Sequence, residues 1–265
     1  MNILKRIYIF FRSTGLDLLT VFNSLRGLTP YIKNYFLFRK AYGRSNKEFK
    51  FGNLYPQLSD RYDKSGVATG HYFHQDLYVA QKIYKNNPER HVDIGSRIDG
   101  FVAHLACFRK VEVFDIRNLE STAQNIIFRQ MDFTDSNFNL VNYCDSVSCL
   151  HAIEHFGLGR YGDKIDYYGY LKGLDNIYKL LKANGKFYFS TPIGKQRVEF
   201  DAHRVFSVGY LLDLFSSKYS VDSFAYVDDA GDIHTNQILT EGNINTNFNC
   251  NYGCGIFEMT KLDLK

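Results

Sequence analysis

From residue 91 onward, short apolar runs alternate with stretches of helical periodicity. HVDIG (91–95) reads as a strand ending in glycine, and VEVFD (111–115), IIFRQMD (126–132), DSVSCL (145–150) and KFYFSTP (186–192) repeat that pattern. Between the first two runs, Phe101, Val102, Leu105 and Phe108 share a helical face. Between the fourth and fifth, Tyr167, Tyr170, Leu171, Leu174, Ile177, Tyr178 and Leu181 recur at steps of three and four, and Asn184-Gly185 supplies a left-handed stop. A further helix is expected over 207–217, and late strands over 219–227 and 255–262. Strands alternating with helices predict an α/β fold with a doubly wound, mostly parallel sheet, the last two strands forming an antiparallel edge hairpin. Residues 1–89 read as an N-terminal helical extension or lid with a loop around 52–66, and residues 90–265 as one domain.

The N-terminal segment changes the picture in one respect. Ile3, Ile7 and Phe10 or Phe11 have helical spacing, but Lys5, Arg6 and Arg12 interrupt the apolar run, so it is too short to span a bilayer. It also lacks the small-residue cleavage site of a signal peptide. Two readings stand: a helix packed on the domain, or weak peripheral attachment to an anionic membrane. The net charge of +4 over 265 residues does not mark a nucleic-acid binder. Five cysteines at irregular spacing argue against a secreted disulfide framework, and a cytoplasmic location is expected. Cys250 and Cys254 have zinc-ligand spacing but no second pair accompanies them.

In open α/β sheets ligands bind beyond the C-terminal ends of the parallel strands. Those ends here are polar: Asp93 with Gly95, then Asp115, Asp132, the stretch HAIEHFGLGRYGD (151–163), and Thr191-Pro192 leading to FDAHR (200–204). The loop from Gly95 to Gly100 has P-loop spacing, but Phe101-Val102 stands where Lys-Ser/Thr is required. It also departs from the dinucleotide pattern, because Arg97 occupies the middle glycine that lets a pyrophosphate approach. A nucleoside ligand without phosphates tolerates both departures. Asp115 is spaced to accept two ribose hydroxyls, and Asp132 to receive an adenine amino group; the competing reading has both as helix caps.

If the chain turns helical after Leu150, His151, Glu154 and His155 fall at i, i+3 and i+4 on one face. H-x-x-E-H is also the inverted zinc-protease pattern, but a strand precedes it and Gly157 and Gly159 stop any long helix. A divalent metal held by His151, Glu154, His155 and, after the fifth strand, His203 is one variant; nitrogen ligands would lean it toward zinc, iron or manganese. The other variant has His155 alone as general base, with Glu154 and His151 in ordinary hydrogen bonds. The following loop reads as flexible, with Arg160 able to pair a phosphate or carboxylate of an acceptor. Tyr72, His74, Gln75 and Asp76 in YFHQD are further contact candidates.

VDIGSRIDG, VEVFD, QMDF, a fourth strand ending in IEH, and LKANGKFYFSTP resemble, in order, the motifs of Rossmann-like S-adenosylmethionine-dependent methyltransferases of class I, over roughly residues 90–227. YFHQD, IEHFGLGRYGD and AHRVFS are similar to an uncharacterised bacterial family of the same core, associated with surface-polysaccharide biosynthesis. The resemblance implies S-adenosyl-L-methionine as cofactor, contacted by Asp93, Gly95, Ser96, Arg97, Gly100, Asp115, Ile116, Asp132, Phe133 and His151. His155, Glu154 and Arg160 would be catalytic. The Glu-x-x-Glu-His metal motif of small-RNA 2′-O-methyltransferases is similar to the 151–155 stretch, with His151 replacing the first glutamate. The expected activity is O-methylation of a sugar, or of a nucleotide- or lipid-linked sugar, in bacterial glycan assembly. The rivals are a nicotinamide-dependent sugar-nucleotide dehydrogenase or epimerase, for which Tyr168 and Lys172 have the catalytic spacing, and a non-catalytic binding module.

Overall fold

Helix α1 (Ile3–Ser13) forms where the N-terminal spacing predicts one, and α2 (Leu18–Gly43) follows it within the expected helical extension. A computed structural model describes residues 3–263, with side chains from residue 7 onward, so those of Ile3, Lys5 and Arg6 lie outside the described ones. Asp17 caps α2, its carboxylate accepting the amides of Leu19 and Thr20. The 45–66 segment folds back on α2. Phe51 packs against the rings of Tyr35, Phe38 and Tyr42, and Gly27 lies so close to Leu58 that a Cβ would sit 1.8 Å from its carbonyl oxygen. Among the described residues no helix is long and apolar enough to cross a membrane.

The chain divides into two compact units, Met1–Val67 and Ala68–Lys265. The boundary therefore precedes the residue 89 read from sequence. The reason is α3 (His71–Asn86), which buries Val79, Ala80 and Ile83 in the second unit's core.

After α3 the second unit runs β1 (His91–Ile94), a wide turn into the short α4 (Ala103–Ala106), β2 (Val111–Asp115), β3 (Ile126–Gln130) and β4 (Cys144–Leu150). There follow α5 (Gly169–Leu180), β5 (Leu181–Ile193), the small hairpin β6 (Arg197–Glu199) and β7 (His203–Val205), and α6 (Val208–Phe215). The chain ends with β8 (Tyr219–Val227), β9 (Ile233–His234), α7 (Glu241–Asn245) and β10 (Gly253–Lys261). Among the described residues the main sheet has eight strands, ordered β3-β2-β1-β4-β5-β10-β8-β9. The first five pair in parallel, as the alternation predicts. The last two long strands do pair antiparallel, but β10 lies inside the sheet between β5 and β8 instead of at its edge. Alternation along β10 explains the placement, for Phe257 and Met259 enter the core on one face while Cys254 and Ile256 enter it on the other. A strand apolar on both faces must be covered on both.

Two helix boundaries differ from the periodicity. The helix expected around Phe101, Val102, Leu105 and Phe108 is a π-type turn from Ile98 to Val102 followed by one α turn. The helix expected to stop at Asn184-Gly185 ends at Leu180, because its last carbonyls are already satisfied. Asn142 and Tyr143 donate to Lys179 and Leu180, and the Lys261 ammonium donates to Tyr178 and Leu181.

Inside the sheet, between β1 and β4, runs a buried polar chain. Ser148 Oγ and Ser96 Oγ each donate to Asp93 Oδ1 at 2.6 Å, and His91 lies 3.0 Å from Ser148 and 2.8 Å from Ser146. Burial pushes His91 down to about 3 and Asp93 up to about 6. His91 in the unfolded chain titrates near its ordinary value, so its stabilising effect is complete above that value and is lost as pH falls. Asp93 works in the opposite sense over the lower part of the window, so the two are separated by substitution. Replacing His91 with Gln should leave a variant whose stability deficit shrinks by about 2 kcal/mol between neutral pH and about pH 5. Urea denaturation at the two pH values checks this; a deficit independent of pH would mean that His91 takes up its proton equally in the folded and unfolded chain.

Candidate functional site

Four of the five polar strand ends meet in one hollow of about 560 Å³, including its solvent-open mouth. Gly95, Asp115, Asp132, Phe133, His151 and His155 border it, and so does Ile116. Gly95 ends β1 at φ +68°, its amide bonded to the Phe114 carbonyl, and a Cβ there would stand 3.0 Å from Ala152 Cβ. Asp115 is already engaged: Arg117 donates to it from its backbone amide (2.8 Å), Nε (3.0 Å) and Nη2 (2.6 Å). Asp132 Oδ1 accepts the amide and hydroxyl of Thr134, both at 2.7 Å.

The remaining residues of the first loop lie elsewhere. Asp93 and Ser96 are saturated by the buried chain described above, Ser96 Oγ also accepting the Leu150 amide at 3.1 Å. Their place is structural: they tie the β1 loop to the end of β4. Arg97 pairs with Asp99 and lies over the Tyr72 ring at 4.9 Å. Gly100 makes room for α3, since a Cβ there would meet Asp76 Oδ2 at 2.4 Å. Of the second-tier group, Gln75 accepts from Ser190 and donates to Asp76, whose carboxyl burial pushes up to about 6. The His74 ring stands edge-on to Phe73. None of these four loop residues or of the YFHQD side chains borders the hollow.

At the end of β4 the chain does not turn α-helical. His151 takes a left-handed conformation, φ +49°, and Ile153–His155 form a single 3-10 turn. This tight corner, not a helix face, brings His151 and Glu154 together: Nδ1–H donates to Oε1 at 2.7 Å, with both side chains buried. Burial opposes the ionised Glu154, but His151 beside it prevails and holds the carboxyl below its usual range. His155 turns away, its Nδ1–H donating to the Ala202 carbonyl at 2.6 Å. That bond leaves Nε2 as the free lone pair, 3.9 Å from Glu154 Oε1. Burial lowers His155 and His203 alike, so both rings favour the neutral form. The four-residue metal set expected from spacing does not assemble. The His155 and His203 rings stand 6.4 Å apart, and among the described residues no three of the set bring ligand atoms within 4.8 Å of one another.

The loop expected to be flexible is pinned. Asp163 accepts the amides of Gly157 (2.7 Å), Gly159 (3.2 Å) and Tyr161 (3.2 Å). Gly157 adopts φ +76° with a Cβ position only 2.0 Å from the Asp166 carbonyl oxygen, so no other residue fits there. The Arg160 guanidinium donates to the Ala202 carbonyl at 3.0 Å and flanks Tyr161. Tyr161 spans the mouth, 5.4 Å from the His155 ring and under the Arg117 guanidinium at 4.4 Å. Buried Arg204 donates to the carbonyls of Glu154, Phe156 and Tyr167 and holds the corner from behind. Arg117 and Arg204 escaped the sequence reading because their partners, a carboxylate two residues away and three backbone carbonyls, leave no spacing signature. The dehydrogenase pair is likewise not assembled: Lys172 pairs with Asp166, and neither it nor Tyr168 borders the hollow.

Strand order and a hollow beyond the parallel strand ends define a Rossmann-like α/β protein of the class I methyltransferase type. The chain belongs to the family described as Caenorhabditis protein of unknown function, DUF268, whose model matches residues 110–249. That description names Caenorhabditis where the sequence motifs led to a bacterial family. No curated protein matches the chain. Among solved structures it is similar to the N-methyltransferase NodS from Bradyrhizobium japonicum WM9, at 10% identity and TM-score 0.50 over 74% of this chain and 100% of that one. It is also similar to the [4+2]-cyclase SpnF, at 11% identity and TM-score 0.50 over 81% and 86%. At such identities the likeness establishes the fold, and the two named chemistries differ.

The pinned loop yields a direct expectation. Asp163→Ala frees three amides, so the 157–163 segment should exchange its amide hydrogens at least about tenfold faster, each lost charge-assisted bond being worth about 1.5–3 kcal/mol. Hydrogen-exchange mass spectrometry reads this; unchanged protection would show that the glycine turns hold the loop unaided.

Proposed function

We propose that the protein is an S-adenosylmethionine-dependent O-methyltransferase. The observation that carries the reading is the shared hollow, in which two strand-end carboxylates stand opposite a neutral histidine with one free nitrogen. The donor set suits that cofactor. Carboxylates accept ribose hydroxyls and an amino group and favour a sulfonium cation, whereas they repel the phosphates of a nicotinamide dinucleotide. When bound, the cofactor supplies a methyl group on positively charged sulfur. Asp115 would hold the ribose. Three of its roughly four lone-pair positions are taken by Arg117, so the hydroxyls must share or displace the guanidinium. Asp132 would receive the adenine, with Phe133 and Ile116 as apolar walls. His155 would take the acceptor's hydroxyl proton at Nε2, while Ala202 keeps the other nitrogen protonated and the ring oriented. NodS, a structural neighbour named as an N-methyltransferase, supports the class of reaction. A sugar or sugar-linked acceptor and a bacterial surface-glycan setting are supported by the motif resemblance alone.

A lipid-linked acceptor fits the first unit. Phe10, Leu19, Leu25, Phe36 and Phe38 are exposed on its helices, interleaved with Arg12, Arg26, Lys33, Arg39 and Lys40 against the lone carboxylate of Asp17 between residues 7 and 44. Apolar side chains and unopposed positive charge suit an anionic bilayer surface.

Calorimetry should give binding of S-adenosylhomocysteine and none of NAD. Asp115→Ala should weaken that binding by about 10–100-fold. His155→Ala should cut turnover on a sugar acceptor by about 10²–10⁴ while leaving donor affinity within a few-fold. Binding of NAD alone would replace the reading with the dehydrogenase, and binding of neither with the non-catalytic module. The full chain should also sediment with vesicles containing anionic phospholipid and be released by salt. Equal retention on neutral vesicles would remove the electrostatic part of the membrane reading, and no retention on either would remove all of it.

A further inference from the structure

Beside the hollow, three elements bring together ligating atoms that the proposed methyl transfer does not use. His71 opens α3, His151 ends β4 and Cys254 lies on β10. One ligand atom from each falls within 4.8 Å of the other two. The imidazoles of His71 and His151 lie nearly parallel, 5° between planes and 5.2 Å between centroids, and Cys254 is fully buried.

The hydrogen-bond pattern makes this more than proximity. His151 donates its Nδ1–H to Glu154, and its other ring nitrogen, Nε2, is buried with no hydrogen-bond partner in the structure. An orphaned buried polar atom costs about 1–3 kcal/mol, and native proteins keep such groups for a reason. Buried carboxylates that fix a histidine's tautomer through its far nitrogen are the usual support of a metal-ligating imidazole. Cys254 Sγ has only weak neighbours, the Gln75 side-chain oxygen at 3.6 Å and the Gly255 carbonyl at 3.9 Å.

We propose that His71, His151 and Cys254 form a zinc site, with Glu154 as the residue that orients His151. Two imidazoles and one thiolate are the borderline-soft donor set that zinc prefers, and three protein ligands leave the fourth tetrahedral position for water or a substrate atom. Tetrahedral bonds of about 2.0–2.3 Å set ligand atoms about 3.3–3.8 Å apart, so the present spacing closes with a movement of about an ångström. Binding releases the thiol proton of Cys254 and changes no other covalent bond. His151 also borders the hollow, so the ion adjoins the proposed acceptor side; its ligands share only His151 with the set His151, Glu154, His155 and His203 read from spacing. Nothing in sequence spacing links positions 71, 151 and 254; YFHQD drew notice to Tyr72 and passed over its neighbour.

The test uses the full chain purified without a histidine tag. Elemental analysis should return about one zinc per chain. Replacement by cobalt should give the intense visible bands of a tetrahedral site together with a thiolate charge-transfer band. Cys254→Ser should abolish the charge-transfer band, and Cys250→Ser should keep it. His71→Ala should lower zinc affinity by at least about tenfold, and Glu154→Gln by about 10–100-fold with the tetrahedral bands retained. Circular dichroism confirms that each variant is folded. A folded wild type that takes up neither zinc nor cobalt would overturn the site in favour of a metal-free thiol–imidazole contact, as would metal content unaffected by Cys254→Ser and His71→Ala. None of these readouts depends on S-adenosylmethionine, so failure here leaves the methyltransferase reading standing, and the reverse.

Discussion

A carboxylate removed from water must be given a partner or give up its charge, and Glu154 governs the geometry of this protein's corner for that reason. Its partner is His151, one residue beyond β4, and the bond between them holds a strained left-handed turn in place. The neighbours then follow. His155 is carried round the 3-10 turn to Ala202, and the backbone carbonyls left exposed by the tight turn collect on the buried guanidinium of Arg204. A polar end to an apolar strand is thus paid for by a closed set of hydrogen bonds, with two atoms, His151 Nε2 and Glu154 Oε2, left over.

The strand-end carboxylates divide into two kinds that look identical in sequence. Asp93 is consumed by serines and braces the sheet against the first loop, whereas Asp115 and Asp132 border open space. Burial decides between them. A carboxylate inside the sheet needs donors supplied by its neighbours, and one at the rim can await a ligand's hydroxyls. The same distinction separates Arg204, spent on backbone carbonyls, from Arg117, which occupies a group the ligand would need.

Loop order has a matching logic. The Asp163 carboxylate and the Gly157 contact with Asp166 rigidify a stretch whose three glycines suggested freedom, and Tyr161 is thereby stationed between Arg117 and His155. Positive-φ glycines here serve fixed turns and close backbone approach, not mobility.

By itself the sequence determined the long strands, the parallel pairing of the first five and the carboxylates at their tips, because a period of two against three to four and the polarity of strand ends are local properties of the chain. It also brought Asp115, Asp132 and His155 forward as a group, since the fold's topology gathers successive strand ends on one side. Tertiary structure alone decided the placement of β10 within the sheet, the early end of α5 under Lys261, the saturation of Asp93, and the meeting of His71 and Cys254 with His151. Each of these rests on partners far apart in the chain, and whether a polar group is spent or free depends on who stands opposite it after folding.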